Sequence, residues 1–345
     1  MVSISVCMIV KNEEGVLARC LDSLAGLYEE LIIVDTGSTD GTKEIARRYT
    51  DKVYDFEWIG DFSAARNYAF SKASCDYIYS ADADEVLDKE NHERFLQLKS
   101  VLDSRIEIVQ MYYDNQLEHG TVYNFNKEYR PKLYKRLREF TWEEPIHEAV
   151  RLTPLVFDSD IAICHKPEGS HAKRDFSYYV RELEKNGQLS ARLYSMYARE
   201  LFVSGDAEDF QTARPYFKQR LYNSELSEDA RKETECVLVK CARLFQEEQE
   251  FFTLVLHNVA DGHGSAEVCY ELGQYYQEHE LYEEASIWYL NAAYETESIL
   301  NIHYSNDFPL LCLAECAQCL GDEEEAKRYH RLAEEFQLPE GDEPL

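Results

Sequence analysis

A chain of 345 residues with 45% hydrophobic content has room for roughly two domains, each with a substantial core. The formal net charge of −30 argues against nucleic acid or an anionic membrane surface as the main partner. Ten cysteines without paired spacing read as reduced thiols, which points to the cytoplasm.

The opening MVSISVCMIV is apolar but has no basic leader, so it is expected to be a first strand over Ile4–Val10 rather than a signal peptide. No apolar run approaches the ~20 residues that a membrane span needs. Val16, Leu17, Cys20, Leu21 and Leu24 then fall at helical spacing. Residues 31–34 form a second β-branched run, and Asp40 or Thr42 is placed to cap a helix over 43–49. This alternation is βαβ grammar and implies a mainly parallel sheet that binds ligands at the carboxyl ends of its strands. Tyr77, Ile78 and Tyr79 read as a further strand, which runs into Asp82, Asp84, Glu85 and Asp88. Acids that close repel one another unless they are solvated or share a cation. Asn12, Asp35 and Asp82 each fall at or just past a strand end. The stretch GSTDG at 37–41 is too short, and lacks the lysine, for a P-loop.

Past about residue 169 the strand patterns stop and helical ones follow, punctuated at Gly205-Asp206, Asn223-Ser224, Gly262, residues 279–281 and Gly321-Asp322. Leu272, Gly273 and Tyr276, followed by Ala285, Tyr289 and Ala292, have the helix–turn–helix arithmetic of a tetratricopeptide repeat. Leu313, Ala314, Ala317, Ala326 and Ala333 repeat it, and residues 174–221 are expected to hold an earlier, looser pair. An irregular helical bundle is the alternative. Between Leu244 and Ala326 there is no Lys or Arg. That reads as solvated acidic faces, or as a patch for a basic ligand. Cys312, Cys316 and Cys319 have the spacing of a radical-SAM cluster. On a helix they are better explained as small packing residues.

Four stretches, "SVCMIVKNEE", "LIIVDTGSTDGT", "FSAARNYAFSKA" and "YSADADE", occur in an order and spacing that resembles a GT-A, family-2 glycosyltransferase. Joined to tetratricopeptide-like helices, the whole resembles bacterial peptide S-glycosyltransferases of the sublancin type. The resemblance implies an α/β GT-A catalytic domain over 1–168 and an all-α tetratricopeptide-like domain over 169–345. It implies transfer of a sugar, with inversion, from a nucleotide sugar (a UDP-sugar) to a peptide, protein or glycan acceptor. A Mn²⁺ or Mg²⁺ ion is the implied cofactor, and a homodimer through the helical half is a further expectation. Two alternatives stay open: a tetratricopeptide adaptor with a nucleotide-sugar-binding domain, and a sugar nucleotidyltransferase. The second lacks its glycine-rich N-terminal loop here. Transfer to a polyprenyl phosphate would call for membrane or basic amphipathic helices, and neither pattern occurs.

The resemblance also assigns residues. Asp35 would accept the uracil imide N–H, with Val10, Asn12 and Glu13 lining the same pocket and Arg66 near the nucleotide. In Ala81-Asp82-Ala83-Asp84, the Asp-x-Asp of such enzymes, the first acid contacts ribose or metal and the second holds the ion against the diphosphate. Oxygen ligands suit both ions, and Glu85 is expected to support the loop. His165 is the choice for a third metal ligand, with His147 and His171 as rivals and a structural histidine as the plain reading. The acceptor-side base is placed at Glu148, or at Glu144, within "FTWEEPIHEAV"; Glu143 is a neighbour and Trp142 a stacking platform. Those acids read equally well as helix caps. Arg130 leads a basic cluster with Lys132, Lys135, Arg136 and Arg138. It would hold the diphosphate or an acidic acceptor, or else lie on a solvated helix face.

Overall fold

The structure is a computed structural model that describes residues 1–114, 127–138, 142–143, 149–150, 154–166, 172–223, 226–260 and 264–337. They form two compact units, one up to residue 166 and one from 172 to 337.

The first unit is built on an eight-stranded mixed sheet. In chain order its strands are β1 (Ile4–Val10), β2 (Glu30–Asp35), β3 (Val53–Asp55), β4 (Tyr77–Ala81), β5 (Glu85–Val86), β6 (Ile108–Asp114) and β7 (Lys127–Lys135). Two short strands, β8 (Trp142–Glu143) and β9 (Ala149–Val150), pair with each other, and β10 (Val156–His165) returns to the main sheet. The order across that sheet is β3-β2-β1-β4-β7-β6-β10-β5. The first four strands are parallel, β7 runs antiparallel to both β4 and β6, and β10 runs parallel to β6. This is the GT-A type of α/β domain.

Side-chain alternation along β1 divides the core between the two faces of the sheet. Ile4, Val6 and Met8 pack with Leu17 and Leu21 of α1 (Leu17–Ser23) and Phe95 of α4 (Lys89–Val101). Cys7 lies on the other face with Ile32, Val34 and, from α3 (Phe62–Ser71), Ala69 and Phe70. Between them, α2 spans Thr42–Tyr49, one residue longer than expected at its start, with Gly41 at the cap position. Asp40 still contributes, because its carboxylate accepts the Thr42 N–H at 3.0 Å. Asp88, the last of the four clustered acids, caps α4 by accepting the Asn91 N–H at 2.8 Å. It therefore serves the helix and leaves the acidic turn to the other three.

Strand β7 carries an irregularity beside the site. Val109 pairs with Leu133, but the next residue of β6, Gln110, pairs with Pro131. Lys132 is thus an extra residue on β7, as in a β-bulge. Pro131 has no N–H to give a ladder and suits such a position.

The second unit is all helix: α5 (Ala172–Asn186), α6 (Ala191–Ser204), α7 (Ala207–Leu221), α8 (Glu228–Leu244), α9 (Glu248–Val259), α10 (Ala266–Glu278), α11 (Tyr282–Leu290), α12 (Asp307–Cys319) and α13 (Glu323–Glu334). Consecutive helices pack as hairpins, α8 with α9, α10 with α11 and α12 with α13, while α6 lies on α8 and α8 on α10. Gly273 explains one close approach. A Cβ built there would fall 2.4 Å from the Tyr289 ring, which is fully buried. Where one loose pair was expected over 174–221, three helices occur, because Ser190 and Asp206 each cap a new start. Cys312 and Cys316 are buried along α12, as packing residues would be, and Cys319 is exposed. The buried carboxylate of Glu267 accepts the backbone N–H groups of Ile299, Leu300 and Asn301 and fixes the segment before α12. No helix among the described residues is long and apolar enough to cross a membrane.

Candidate active site

Parallel pairing of β1 with β2 and β4 brings the carboxyl ends of these three strands side by side, with Asn12, Asp35 and Asp82 at or just past them. Asp35 ends β2 and is 2% exposed. One of its oxygens, Oδ1, accepts the N–H groups of Gly37 and Ser38 at 3.0 Å each. Gly37 sits at φ +103°, a left-handed backbone that a side chain would strain, and this turns both amides toward the carboxylate. The other oxygen, Oδ2, is buried and has no hydrogen-bond partner among the described residues. A buried, unsatisfied carboxylate oxygen costs free energy unless a donor arrives from outside. An imide N–H is such a donor.

The loops after β1 and β2 are stitched together beside Asp35. Asn12, at φ +57°, accepts the Thr39 N–H at 2.8 Å and donates its own N–H to Ser38 Oγ at 2.9 Å. Glu13 gives its N–H to Thr42 Oγ1 at 2.7 Å. Val10 lies in the ladder opposite Asp35, and its carbonyl accepts the Thr36 N–H at 2.9 Å. These contacts tie the two loops together.

The acidic turn follows β4, whose last residue, Ala81, is fully buried. Asp82 Oδ1 accepts from Arg66 Nη2 at 2.8 Å, while Arg66 Nη1 reaches Ser80 Oγ at 3.0 Å. Lys132 Nζ stands 3.5 Å from Asp82 Oδ2 and makes a close ion pair with Glu85. Burial works to raise the Asp82 pKa, but Arg66 and then Lys132 outweigh it and hold this carboxyl well below the ordinary range. Glu85, 3% exposed, goes the other way: burial pushes it up to about 7, against the pull of Lys132 and with the repulsion of Asp82 added. Its Oε2 accepts the Asp82 N–H at 3.2 Å, so Glu85 supports the turn from below.

Asp84 faces the other way. Its Oδ2 lies 3.0 Å from Nε2 of His165, the last residue of β10, because β5 pairs antiparallel with β10 in the register His165↔Glu85. The neighbouring Lys166 N–H bonds the Asp84 carbonyl at 2.9 Å, and Arg19 caps the Lys166 carbonyl at 2.7 Å. The His165 ring packs against Tyr113 at 5.3 Å between centroids, and Arg130 lies over the same Tyr113 ring at 4.1 Å. A carboxylate oxygen beside an imidazole nitrogen would suit Mn²⁺ better than Mg²⁺, which takes oxygen ligands. Among the described residues no group of three or more His, Cys, Asp and Glu side chains is placed to hold a metal ion.

Of the basic cluster headed by Arg130, Lys132 and Lys135 share strand β7 with it, whereas Arg136 and Arg138 lie in a 3-10 turn that follows, and the cluster disperses. Arg130 pairs with Glu128, while Lys135 and Arg136 turn to the carbonyls of Ser104 and Cys75. Glu144, Glu148, His147 and His171 lie outside the described residues, as do the side chains of Trp142 and Glu143.

The sequence model of glycosyl transferase family 2 matches residues 5–157. The first unit is a family-2 glycosyl transferase domain. A TPR repeat-containing protein of Synechococcus elongatus is 36% identical over 150 residues, which are 44% of this chain and 36% of that protein. The SPbeta prophage-derived glycosyltransferase SunS of Bacillus subtilis is 27% identical over 252 residues, 69% of this chain and 58% of SunS. The chain therefore spans between about a third and three-fifths of the length of these curated relatives. A solved structure of glucosyl-3-phosphoglycerate synthase from Mycobacterium tuberculosis aligns at 15% identity and a TM-score of 0.40, over 55% of this chain and 81% of that one.

Within this glycosyl transferase domain, three supporting residues had no assigned role in the sequence reading: Tyr113, Arg19 and Lys132 in its buried contact. The first two come from elements remote in the chain and leave no local pattern. Lys132 stood among other basic residues, and only the β7 bulge distinguishes it.

Proposed function

We propose that the protein is a metal-dependent, inverting glycosyltransferase that takes a sugar from a UDP-sugar and passes it to a peptide, protein or glycan. The observation that carries this reading is that Asp35 and the Asp82–Asp84 turn follow strands on either side of β1, with His165 against Asp84, in a stretch matched by the family-2 model. SunS, a glycosyltransferase by name, resembles the chain beyond that domain and supports the same reading.

In this reading the free Oδ2 of Asp35 accepts the uracil imide, and the stitched loops of Asn12 and Glu13 shape the wall of the base pocket. Arg66 and Asp82 lie on the way from base to sugar, where they meet ribose and phosphate. Asp84 and His165 hold the divalent ion, which when bound neutralises charge on the departing diphosphate. Glu148, with Glu144 as its rival, takes the proton of an attacking hydroxyl. A base in that place is worth about 10²–10⁴ in rate, less for a thiol acceptor that is already partly ionised. The helical unit, whose hairpins we take as tetratricopeptide-like, positions the acceptor or joins two copies. Ten unbonded cysteines fit a cytoplasmic setting.

The test is UDP release from a panel of UDP-sugars in Mn²⁺, Mg²⁺ or EDTA, without acceptor. Slow hydrolysis of one donor that EDTA abolishes supports the reading and names the sugar. No release, together with no stabilisation of the protein by UDP, overturns it in favour of an adaptor.

A further inference from the structure

We propose that Lys132 is a positioning residue of this site: its buried ammonium, delivered by the β7 bulge, fixes Asp82 and the acidic turn so that Asp84 stays turned toward His165. The inference rests on the reading of the site as a metal and nucleotide-sugar centre.

The geometry that points to it begins with the ladder. β4 pairs with β7 only up to Tyr79↔Leu133, and the extra residue in β7 is the next one toward the strand ends, Lys132. A bulge re-aims a side chain that a regular strand would send elsewhere. Here it sends an ammonium under the turn, where Lys132 is 5% exposed. Its Nζ touches Glu85, stands 3.5 Å from Asp82 Oδ2 and reaches the Ser80 carbonyl at the same distance.

Asp82 is thereby held at three atoms. Its N–H goes to Glu85, one carboxylate oxygen to Arg66 and the other toward Lys132. Three acids within four residues would otherwise spread apart by repulsion. With Glu85 turned inward and Asp82 clamped, Asp84 is the member of the turn left to face His165. Burying an ion pair is often no more stabilising than an apolar pair of the same volume. Fixed direction is what an ion pair adds here.

The experiment compares wild type, Lys132→Met and the double variant Glu85→Met/Lys132→Met. UDP binding is measured by calorimetry with and without MnCl₂, below the melting transition, and melting curves are recorded. The readout is the ratio of the two UDP affinities. Lys132→Met is expected to cut that ratio by about 10–100-fold, as loss of a residue that orients ligands does. The double variant replaces the buried pair by apolar side chains, so it folds even if the single variant does not, and it is expected to lose the ratio too. A double variant that keeps the wild-type ratio, whatever its melting temperature, overturns the proposal and leaves Lys132 a structural residue. A wild-type protein with no Mn²⁺-dependent tightening sinks the functional reading instead, and this inference with it.

Discussion

His165 Nε2 lies 3.0 Å from Asp84 Oδ2 although the two residues are 81 positions apart. Nothing local joins them. Strand β10 runs the length of the sheet beside β6 and ends against the two-residue strand that follows Asp84. A lone histidine after a strand-like run is thereby set against an acid of the turn.

If that pair holds the ion, Asp84→Asn and His165→Ala each remove one ligand. Both variants should lose metal-dependent turnover of a UDP-sugar by about 10²-fold or more while melting near wild type. EDTA should have the same effect on the wild-type protein. Turnover by Asp84→Asn at the wild-type rate would rule out the ligand assignment.

Asp35→Asn keeps an oxygen to accept the Gly37 and Ser38 amides but removes the charge at the vacant position. A hydrogen bond to a charged group is worth about 1.5–3 kcal/mol. UDP should therefore bind roughly ten- to a hundredfold more weakly. Calorimetry with UDP checks this, and unchanged affinity would place the base elsewhere.

Gly273→Ala would put a methyl group 2.4 Å from the Tyr289 ring. That ring cannot swing away, because its hydroxyl is tied to Gln274 at 2.7 Å and Gln277 at 2.6 Å. Overpacking of this kind costs about 1–3 kcal/mol, which outweighs the gain of about 1 kcal/mol from alanine's better helix propensity. The helical unit should melt at a lower temperature, as circular dichroism would report.

Glu30 predicts an acid limit for the first unit. It is buried at the start of β2, where Lys52, Ser5 and Ser74 close around its carboxylate. Burial alone would raise its pKa, but those contacts bring it down to about 2. A depressed folded-state value means stability that is complete above the unfolded pKa of about 4.3 and is lost as pH falls toward 2. The term is on the order of 3 kcal/mol. Glu30→Gln should show a shallower loss of stability than wild type over that window in urea titrations at stepped pH.

Much of the site was legible because strand ends are legible. Apolar runs stopping at Val10, at Val34 and before Asp82 give their positions, and parallel pairing then sets the residues side by side. That Glu85 supports the turn was expected only from the resemblance to the Asp-x-Asp motif, since crowding alone does not sort the acids. What could not be read is whatever depends on register between distant strands. The bulge at Lys132 is one case; the dispersal of Arg130, Lys135 and Arg136 to three different partners is another. The extra helix before α7 was missed because its start is set by a single cap, Ser190, inside a long polar stretch.

The order of strands along the chain also gives the site a history during synthesis. The contacts around Asp35 are made by β1, β2 and the loops that follow each, all of it within the first 42 residues. The partner of Asp84 arrives only with residue 165, after the whole of β6 and β7 has been made. A chain still emerging from the ribosome thus closes the loops beside Asp35 long before Asp84 meets His165, and completes this arrangement only with the last strand of the sheet.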